Sequence, residues 1–554
     1  MKILLTAINA KYIHSNLAVY SLQAYAEAQG HKIERAEYTI NNQLDDILEK
    51  IYCQKPDVLI FSCYIWNIEY VRELAAEFHK LRPEVPIWVG GPEVSFETER
   101  FLKENPAITG IMMGEGERTL TELCTSFEQE SSLEKIDGIS YRRGDGTVAV
   151  QPLRSLLPMD ELPFCYANLQ DFEHRIIYYE SSRGCPFSCS YCLSSVDKKL
   201  RFRSLPLVYR ELQFFIDAKV PQVKFVDRTF NCRHEHAMGI WNYIKEHDNG
   251  ITNFHFEISA DLLREDELEL ISDMRPGLIQ LEIGVQSTNG ATIREIHRTM
   301  RLEDVYRAVN RVKTGKNIHQ HLDLIAGLPF EDYERFQQSF DDIYALHPQQ
   351  LQLGFLKVLK GSYMYEHASE YGLIYRTKPP YEVLASKWVS YDEMLEIRLV
   401  EEMLELHYNS GQFLTYLAVL EQRYASAFQM FLDMGHFYRS HGYLDCSHNR
   451  VRRTEIVLEF AESVDAGHRA AYEEALILYK IEKSKSRPIW ARDLALEKKK
   501  TSAYLRAHGL EKKYCHLEKF NWLDARGILR QKEQPIWLLF DYEVRDPLTK
   551  EAAI

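Results

Sequence analysis

Three cysteines crowd into eight residues of this chain, within Arg183-Gly184-Cys185-Pro186-Phe187-Ser188-Cys189-Ser190-Tyr191-Cys192. The spacing is C-x3-C-x2-C. Three thiolates placed this way can hold three irons of a 4Fe-4S cluster and leave the fourth iron open to a chelating substrate. A tetrahedral zinc site would need a fourth donor. His174 stands nearby, but a three-residue first gap is unusual for a zinc knuckle. The other seven cysteines (Cys53, Cys63, Cys124, Cys165, Cys232, Cys446 and Cys515) are widely spaced and read as small buried apolar residues. In a reducing compartment they do not form a disulfide framework.

The segments after the cysteines repeat one pattern. Ile176 to Glu180 reads as the strand that delivers the cysteine loop. Val223 to Asn231, Phe254 to Ser259, Leu278 to Gly284, His319 to Ala326 and Gln350 to Phe355 read as further strands, with helical stretches between them. Polar residues stand at or near the strand ends: Asp227, Glu257, Glu282, Gln286, and the turn Gly327-Leu328-Pro329. Six βα units predict a partial parallel barrel, whose sites lie at the carboxyl ends of its strands.

The first 130 residues alternate strand and helix at a different pace. Strands are predicted at 2–9, 32–38, 57–62, 86–89 and 110–113, with amphipathic helices between them and Asn16 as a helix cap. This is an open parallel sheet wound on both sides, which binds ligands beyond its carboxyl ends. The loops there carry Asn9, Ser62, Gly90-Gly91 with Glu93, and Gly114-Glu115. Ile136 to Val150 reads as a hairpin turning at Gly144-Asp145-Gly146, followed by a proline-bearing connector.

The cysteine motif, with Tyr191 before its last cysteine, resembles the radical S-adenosylmethionine superfamily. The turns Gly90-Gly91-Pro92-Glu93 and Gly114-Glu115-Gly116-Glu117 resemble the cobalamin-binding domain that precedes many such enzymes. The resemblance covers about residues 1–365. It implies an α/β protein with a doubly wound, Rossmann-like cobalamin-binding domain over 1–130, a hairpin and linker over 131–170, a partial (β/α)6 radical S-adenosylmethionine barrel over 171–365, and a mainly helical domain over 366–554. It also implies three cofactors. Cys185, Cys189 and Cys192 would hold a 4Fe-4S cluster. Tyr191, Asp227, Glu257, Glu282, Gln286, Gly327 and Leu328 would help hold S-adenosylmethionine. Asn9, Ser62, Gly90, Gly91, Glu93, Gly114 and Glu115 would hold cobalamin.

Two departures stand out. The Asp-x-His-x-x-Gly motif that supplies a cobalt-ligating histidine is absent, and His14 has the wrong spacing to replace it. Arg228 stands where relatives commonly carry a second acid. Methyl transfer to an unactivated centre is the commonest implied reaction, with cyclisation or rearrangement as the alternative. An external one-electron donor such as a flavodoxin or ferredoxin is implied too. A methylthiotransferase would need a second cysteine triplet, and neither Cys53, Cys63 nor Cys124 lies in the first strand-end loop. A cobalamin-binding sensor would have no use for an open iron.

The remaining features frame this reading. With 45% hydrophobic and 27% charged residues the 554-residue chain is globular in composition, and it has no apolar run long enough to span a bilayer. A cytoplasmic protein without membrane contact is expected. The net charge of −14 argues against general attraction to nucleic acid. Lys480 to Lys532 nonetheless carries 15 Lys/Arg against 6 Asp/Glu, interleaved with Tyr504, Tyr514 and Trp522. RNA therefore stays beside small molecules and peptides among the expected substrate classes. Beyond Lys378-Pro379-Pro380 the pattern is helical, with one closing strand near 535–541.

Overall fold

The structure is a computed structural model that describes residues 1–484, 497–511, 514–524, 527–529, 535–546 and 548–554. The chain divides into two compact units. The first comprises Met1–Leu262, Ile296–Thr299 and Leu356–Leu384, and the second Leu263–Glu295, Met300–Phe355 and Ala385–Ile554.

The first unit opens with a seven-stranded sheet. Its strands are β1 (Ile3–Asn9), β2 (Ile33–Thr39), β3 (Val58–Ser62), β4 (Ile87–Gly90), β5 (Gly110–Met112), β6 (Ile139–Arg142) and β7 (Val148–Val150), in the order β2-β1-β3-β4-β5-β6-β7. The first five run parallel. Alternate residues of each strand feed two separate cores, one containing Leu4, Phe61 and Val89 and the other Leu5, Ile60 and Trp88. Both faces are therefore covered, as a doubly wound parallel sheet requires. Asn16 caps the helix Leu17–Ala28 as expected, its side chain accepting from the amide of Val19. The expected boundary at residue 130 falls inside this sheet. The hairpin β6–β7 pairs antiparallel with β5 and covers an edge that would otherwise expose unpaired backbone groups.

The same unit holds a second parallel set: β8 (Ile177–Tyr179), β11 (Gln222–Phe225) and β12 (Asn253–Ile258), with β11 between the other two. A short antiparallel ladder of β9 (Ser182–Arg183) and β10 (Arg201–Phe202) brackets the cysteine loop.

In the second unit β13 (Ile279–Gln286), β14 (His319–Ala326) and β15 (Gln350–Phe355) run parallel, with β14 central. Strict alternation of buried and half-buried residues along β13 and β14 puts Glu282, His321 and Asp323 on the polar face. The C-terminal part is mostly helical, and it includes a π-helical turn at Leu404–Asn409. The closing strand expected near 535–541 is present and belongs to an antiparallel sheet whose other two strands the helical pattern concealed. Ile536–Arg545 pairs with Cys515–Phe520 on one side and Ala552–Ala553 on the other. Cys-His-Leu-Glu-Lys-Phe is too short and too charged to announce a strand by alternation. Of the basic tract, Lys498, Lys499 and Lys500 lie in the helix Glu497–Ala507, and Lys512 and Lys513 lie outside the described residues. Among the described residues, no helix is long and apolar enough to cross a membrane.

Candidate active site

A cavity of about 740 Å³ opens at the carboxyl ends of β1, β3, β4 and β5. Asn9, Ser62, Gly90, Gly91, Gly114 and Glu115 line it. Glu93 is not among the lining residues. It is buried, it accepts a hydrogen bond from the Tyr381 hydroxyl, and it lies 3.6 Å from the Lys360 ammonium. The floor between β3 and β4 is backbone. Gly91 has φ +115°, and a Cβ there would sit 2.4 Å from the carbonyl oxygen of Cys63. No side chain fits, so the turn after β4 packs backbone to backbone against the residue after β3. The strand ends are held by the next loop. Asn67 Nδ2 donates to the carbonyls of Ile8 and Ser62, and Trp66 Nε1 donates to Ile8. Tyr64 and Trp66 stack beside them at 4.4 Å between centroids, and both line the cavity.

His14 also lines this cavity. Its Nδ1 lies 2.6 Å from the Tyr178 hydroxyl. Burial lowers its pKa, and the charges of Lys11 and Lys224 add to that, so the ring stays neutral near pH 7. The far wall comes from residues around β8 and the cysteine loop (Tyr178, Glu180, Arg183, Leu193, Val196 and Asp197) and from Arg228 after β11. The sequence reading missed most of this wall. Its residues come from a different sheet, and no periodicity or motif in the first 130 residues points to them.

The cysteine loop is held at both ends. Asp227, at the end of β11, accepts from the Ser181 amide at 3.0 Å, the Ser181 hydroxyl at 2.7 Å and the Ser182 hydroxyl at 2.5 Å. Burial raises its pKa, and these hydrogen bonds act against that shift. Asp227 thus clamps the strand that leads into the loop. Gly184 follows with φ +89°, where a Cβ would meet the Lys199 carbonyl oxygen at 2.7 Å. The Cys185 amide donates to Asp197, and the Cys192 amide to Cys189. Cys185 and Cys189 are buried, and Cys192 is half-buried. Arg298 places Nη1 3.7 Å from the Cys189 sulfur and 3.4 Å from the Tyr191 hydroxyl. Burial raises the Cys189 thiol pKa, while the Arg298 charge favours the thiolate. Sequence reasoning had no signal for Arg298, which returns to this loop from more than a hundred residues away.

Glu257 sits on the half-buried face of β12 with Asn253 and His255. In the second unit, the ligand atoms of Glu282, His321 and Asp323 lie within 4.8 Å of one another, and His321 Nε2 is 3.0 Å from Asp323 Oδ1. Gln286 follows a register shift in β13 and has φ +75°. A positive φ in a non-glycine residue is strained, and such strain tends to gather at binding sites. Gly327 has φ +86°, and the Leu328 side chain is fully buried. Glu331 ties the two turns together, accepting from Ser287 at 2.6 Å and Ser339 at 2.7 Å. Asn289 Nδ2 donates to the Phe330 carbonyl across the same gap.

Three families match successive parts of the chain: "B12 binding domain" over residues 3–124, "Radical SAM superfamily" over 179–343, and "Protein of unknown function (DUF4080)" over 369–549. The cobalamin-dependent radical SAM methyltransferase TokK of Streptomyces tokunonensis is 25% identical over 313 residues, covering 52% of this chain and 45% of TokK. This chain thus spans about half the length of that relative. The cobalamin-dependent S-adenosylmethionine radical enzyme OxsB, solved with aqua-cobalamin and S-adenosylmethionine bound, superposes with a TM-score of 0.60 at 15% identity, covering 92% of this chain and 76% of OxsB. The radical S-adenosylmethionine methyltransferase TsrM of Kitasatospora setae, solved with cobalamin and a [4Fe-4S] cluster, gives 0.58 at 17% identity, covering 69% of this chain and 78% of TsrM.

Proposed function

We propose that this chain, in which a B12 binding domain leads into a radical SAM domain and a helical C-terminal region, is a cobalamin-dependent radical S-adenosylmethionine methyltransferase. One observation carries the reading. The strand-end cavity of the first domain is walled on its far side by Arg183, Leu193 and Val196, which flank the three cysteines. These flanking residues would form one wall for a ring held there.

The residues present fit each cofactor. Three thiols on one short loop suit a 4Fe-4S cluster with one open iron. A backbone floor at Gly91, an aromatic stack and a cavity near the upper size of small-molecule sites suit a corrin. When bound, these groups supply a one-electron reductant for the sulfonium and a carrier for the methyl group. The protein's part is to hold and orient. Cys185, Cys189 and Cys192 hold the cluster, and Arg298 favours the thiolate of Cys189. Within the first unit, Tyr191 and Glu257 would help hold S-adenosylmethionine, while Asp227 acts through Ser181 and Ser182. Asn9, Ser62, Gly90, Gly91, Gly114 and Glu115 hold the corrin, and Glu93 fixes its loop from behind through Tyr381 and Lys360. An external one-electron donor completes the cycle.

The methylthiotransferase alternative is disfavoured by packing. Cys63 and Cys124 are fully buried in the cores on opposite faces of the first sheet, and Cys53 is exposed. They cannot gather around a second cluster. The test is anaerobic reconstitution with iron, sulfide and hydroxocobalamin, followed by dithionite reduction with S-adenosylmethionine. Release of 5′-deoxyadenosine and methionine is expected, and a cluster-replete sample that releases neither overturns the radical class.

A further inference from the structure

Arg183 is the residue before Gly184-Cys185, and it is largely withdrawn from solvent. Its guanidinium lies 2.7 Å from Glu117, 2.8 Å from Glu180 and 3.5 Å from Glu115. Glu117 and Glu115 belong to the loop after β5, on the corrin side of the cavity. Glu117 starts the helix Glu117–Gln129, is almost fully buried and also accepts from Ser21 at 3.0 Å. Burial opposes its ionisation, but the Arg183 charge and hydrogen bond outweigh this and hold its pKa below the usual carboxylate value. Arg201 faces Arg183 across the β9–β10 ladder. It pairs with Glu115, lies 3.4 Å from Asp197 and donates to the Leu157 carbonyl at 2.6 Å. Both strands that bracket the cysteine loop are therefore ion-paired to the loop that lines the corrin cavity.

We propose that Arg183 is a positioning residue that couples the two cofactor sites: through Glu115 and Glu117 it makes the order of the cluster loop depend on the order of the corrin loop, and the reverse. A buried ion network is weak evidence for stability, because desolvation offsets most of its attraction. Its clearest use is to fix geometry, and a planar guanidinium held by three carboxylates does this as an ammonium cannot. A ligand that orders the loop at Gly114–Glu117 fixes Arg183, and Arg183 fixes the entry to Cys185. Thermodynamic linkage then requires that cluster assembly tighten corrin binding by the same factor. A second seam stays intact when Arg183 is changed. The Ser15 hydroxyl donates to the Ile176 carbonyl, the Ile176 amide to Ile13, and His14 meets Tyr178. Loss of Arg183 therefore loosens the coupling without parting the two sheets.

This inference rests on the corrin reading of the cavity, and the experiment separates the two. Hydroxocobalamin is titrated into the full chain with and without the reconstituted cluster, for the unaltered protein, Arg183→Met and Arg183→Lys. Amide hydrogen exchange is followed over residues 113–117 and 184–200. In the unaltered protein the cluster should tighten hydroxocobalamin binding by roughly tenfold, a typical coupling between linked sites. In Arg183→Met the ratio should fall to about one, with protection lost from both loops together, and Arg183→Lys should lie between. Equal coupling in all three proteins, or no coupling in the unaltered one, overturns the proposal. If the unaltered protein fails to bind hydroxocobalamin, the corrin reading falls. Joint or separate loss of protection in Arg183→Met then still decides whether the two loops are linked. Should Arg183→Met prove insoluble, Glu117→Gln breaks the same contact from the other side and should give the same loss.

Discussion

Cys185, Cys189 and Cys192 differ from the other cysteines in being gathered on a loop pinned by Asp227 at its entry and by Arg298 at Cys189. Replacing all three with Ala should abolish iron–sulfur absorbance after reconstitution. Retention of about four irons per chain, the content of one such cluster, would contradict the assignment. His14 poses a separate question at this scale. Its spacing excluded it as a cobalt ligand, yet the fold brings it to the cavity with Nδ1 against Tyr178. A ring held in this way is positioned by the phenol and by strand pairing, since His14 bridges to Ile176. The expected outcome is that bound cob(II)alamin shows no protein nitrogen coupling, and that His14→Ala leaves its electron paramagnetic spectrum unchanged. A histidine coupling that disappears in His14→Ala would make His14 the ligand.

At the scale of elements, Asp227 shows why a correct motif gives an incomplete role. Its place at a strand end was legible, and resemblance implied a contact with S-adenosylmethionine. The structure engages both of its oxygens with Ser181, between β8 and β9, and Ser182 at the start of β9. Asp227→Ala leaves the buried Ser181 amide and Ser182 hydroxyl without their acceptor, while the Ser181 hydroxyl keeps His236 Nε2 at 3.0 Å, at a cost of roughly 2 kcal/mol. Thermal unfolding should fall accordingly, and the cluster loop should become more open to thiol-modifying reagents in the apo-protein. Unchanged thiol reactivity would place Asp227 outside the loop's support. The strands and helices of the first 130 residues were legible because short continuous apolar runs, the mark of strands buried on both faces, alternate with stretches of 3.6-residue periodicity. The cysteine loop was legible because metal ligation demands a spacing. Arg183, Arg201, Arg298 and Glu331 were not legible. Each acts through a partner distant in sequence, and a charged residue that is buried by tertiary contact looks in sequence like one that faces water. The closing strand near 535–541 was legible and is found at Ile536–Arg545, but its partners Cys515–Phe520 and Ala552–Ala553 escaped, since one has its alternation broken at Leu517-Glu518, both buried, and the other is only two residues long.

For the molecule as a whole, the second unit carries two buried titrating groups that act in opposite senses. Glu331 is fully buried, and its Oε2 has no hydrogen-bond partner among the described residues. Burial pushes its pKa up to about 7, against help from Ser287, Ser339 and Arg335, with Asp332 adding to the rise. His407, in the π-helical turn, is buried against Phe413 and Tyr438, with neither ring nitrogen hydrogen-bonded among the described residues. Burial lowers its pKa to about 3, and the Arg453 charge adds to this. A proton is bound by Glu331 in the native but not the unfolded state between pH 4.5 and about 7, so its contribution to stability falls as pH rises through that window. His407 is protonated only in the unfolded state between about 3 and 6.5, so its contribution falls as pH drops through that window. Each slope approaches about 1.4 kcal/mol per pH unit. Where the windows overlap the two cancel, which leaves the pair flat from about pH 4.5 to 6.5 and falling on either side. Glu482, raised to about 8 by burial and the charge of Glu551, adds a further fall with rising pH across the window from 4.5 to about 8, so it also tilts this plateau downward. Variants unmask each arm. In a Glu482→Gln background, Glu331→Gln should leave stability rising with pH up to about 6.5, and His407→Phe should leave it falling from about 4.5 to 7. Urea unfolding of the full chain at pH 4, 5.5, 7 and 8, read by hydrogen exchange on peptides of the second unit, measures both. Parallel pH profiles for the two variants would refute the opposition, because only groups with opposite proton balance can tilt the same plateau in opposite directions.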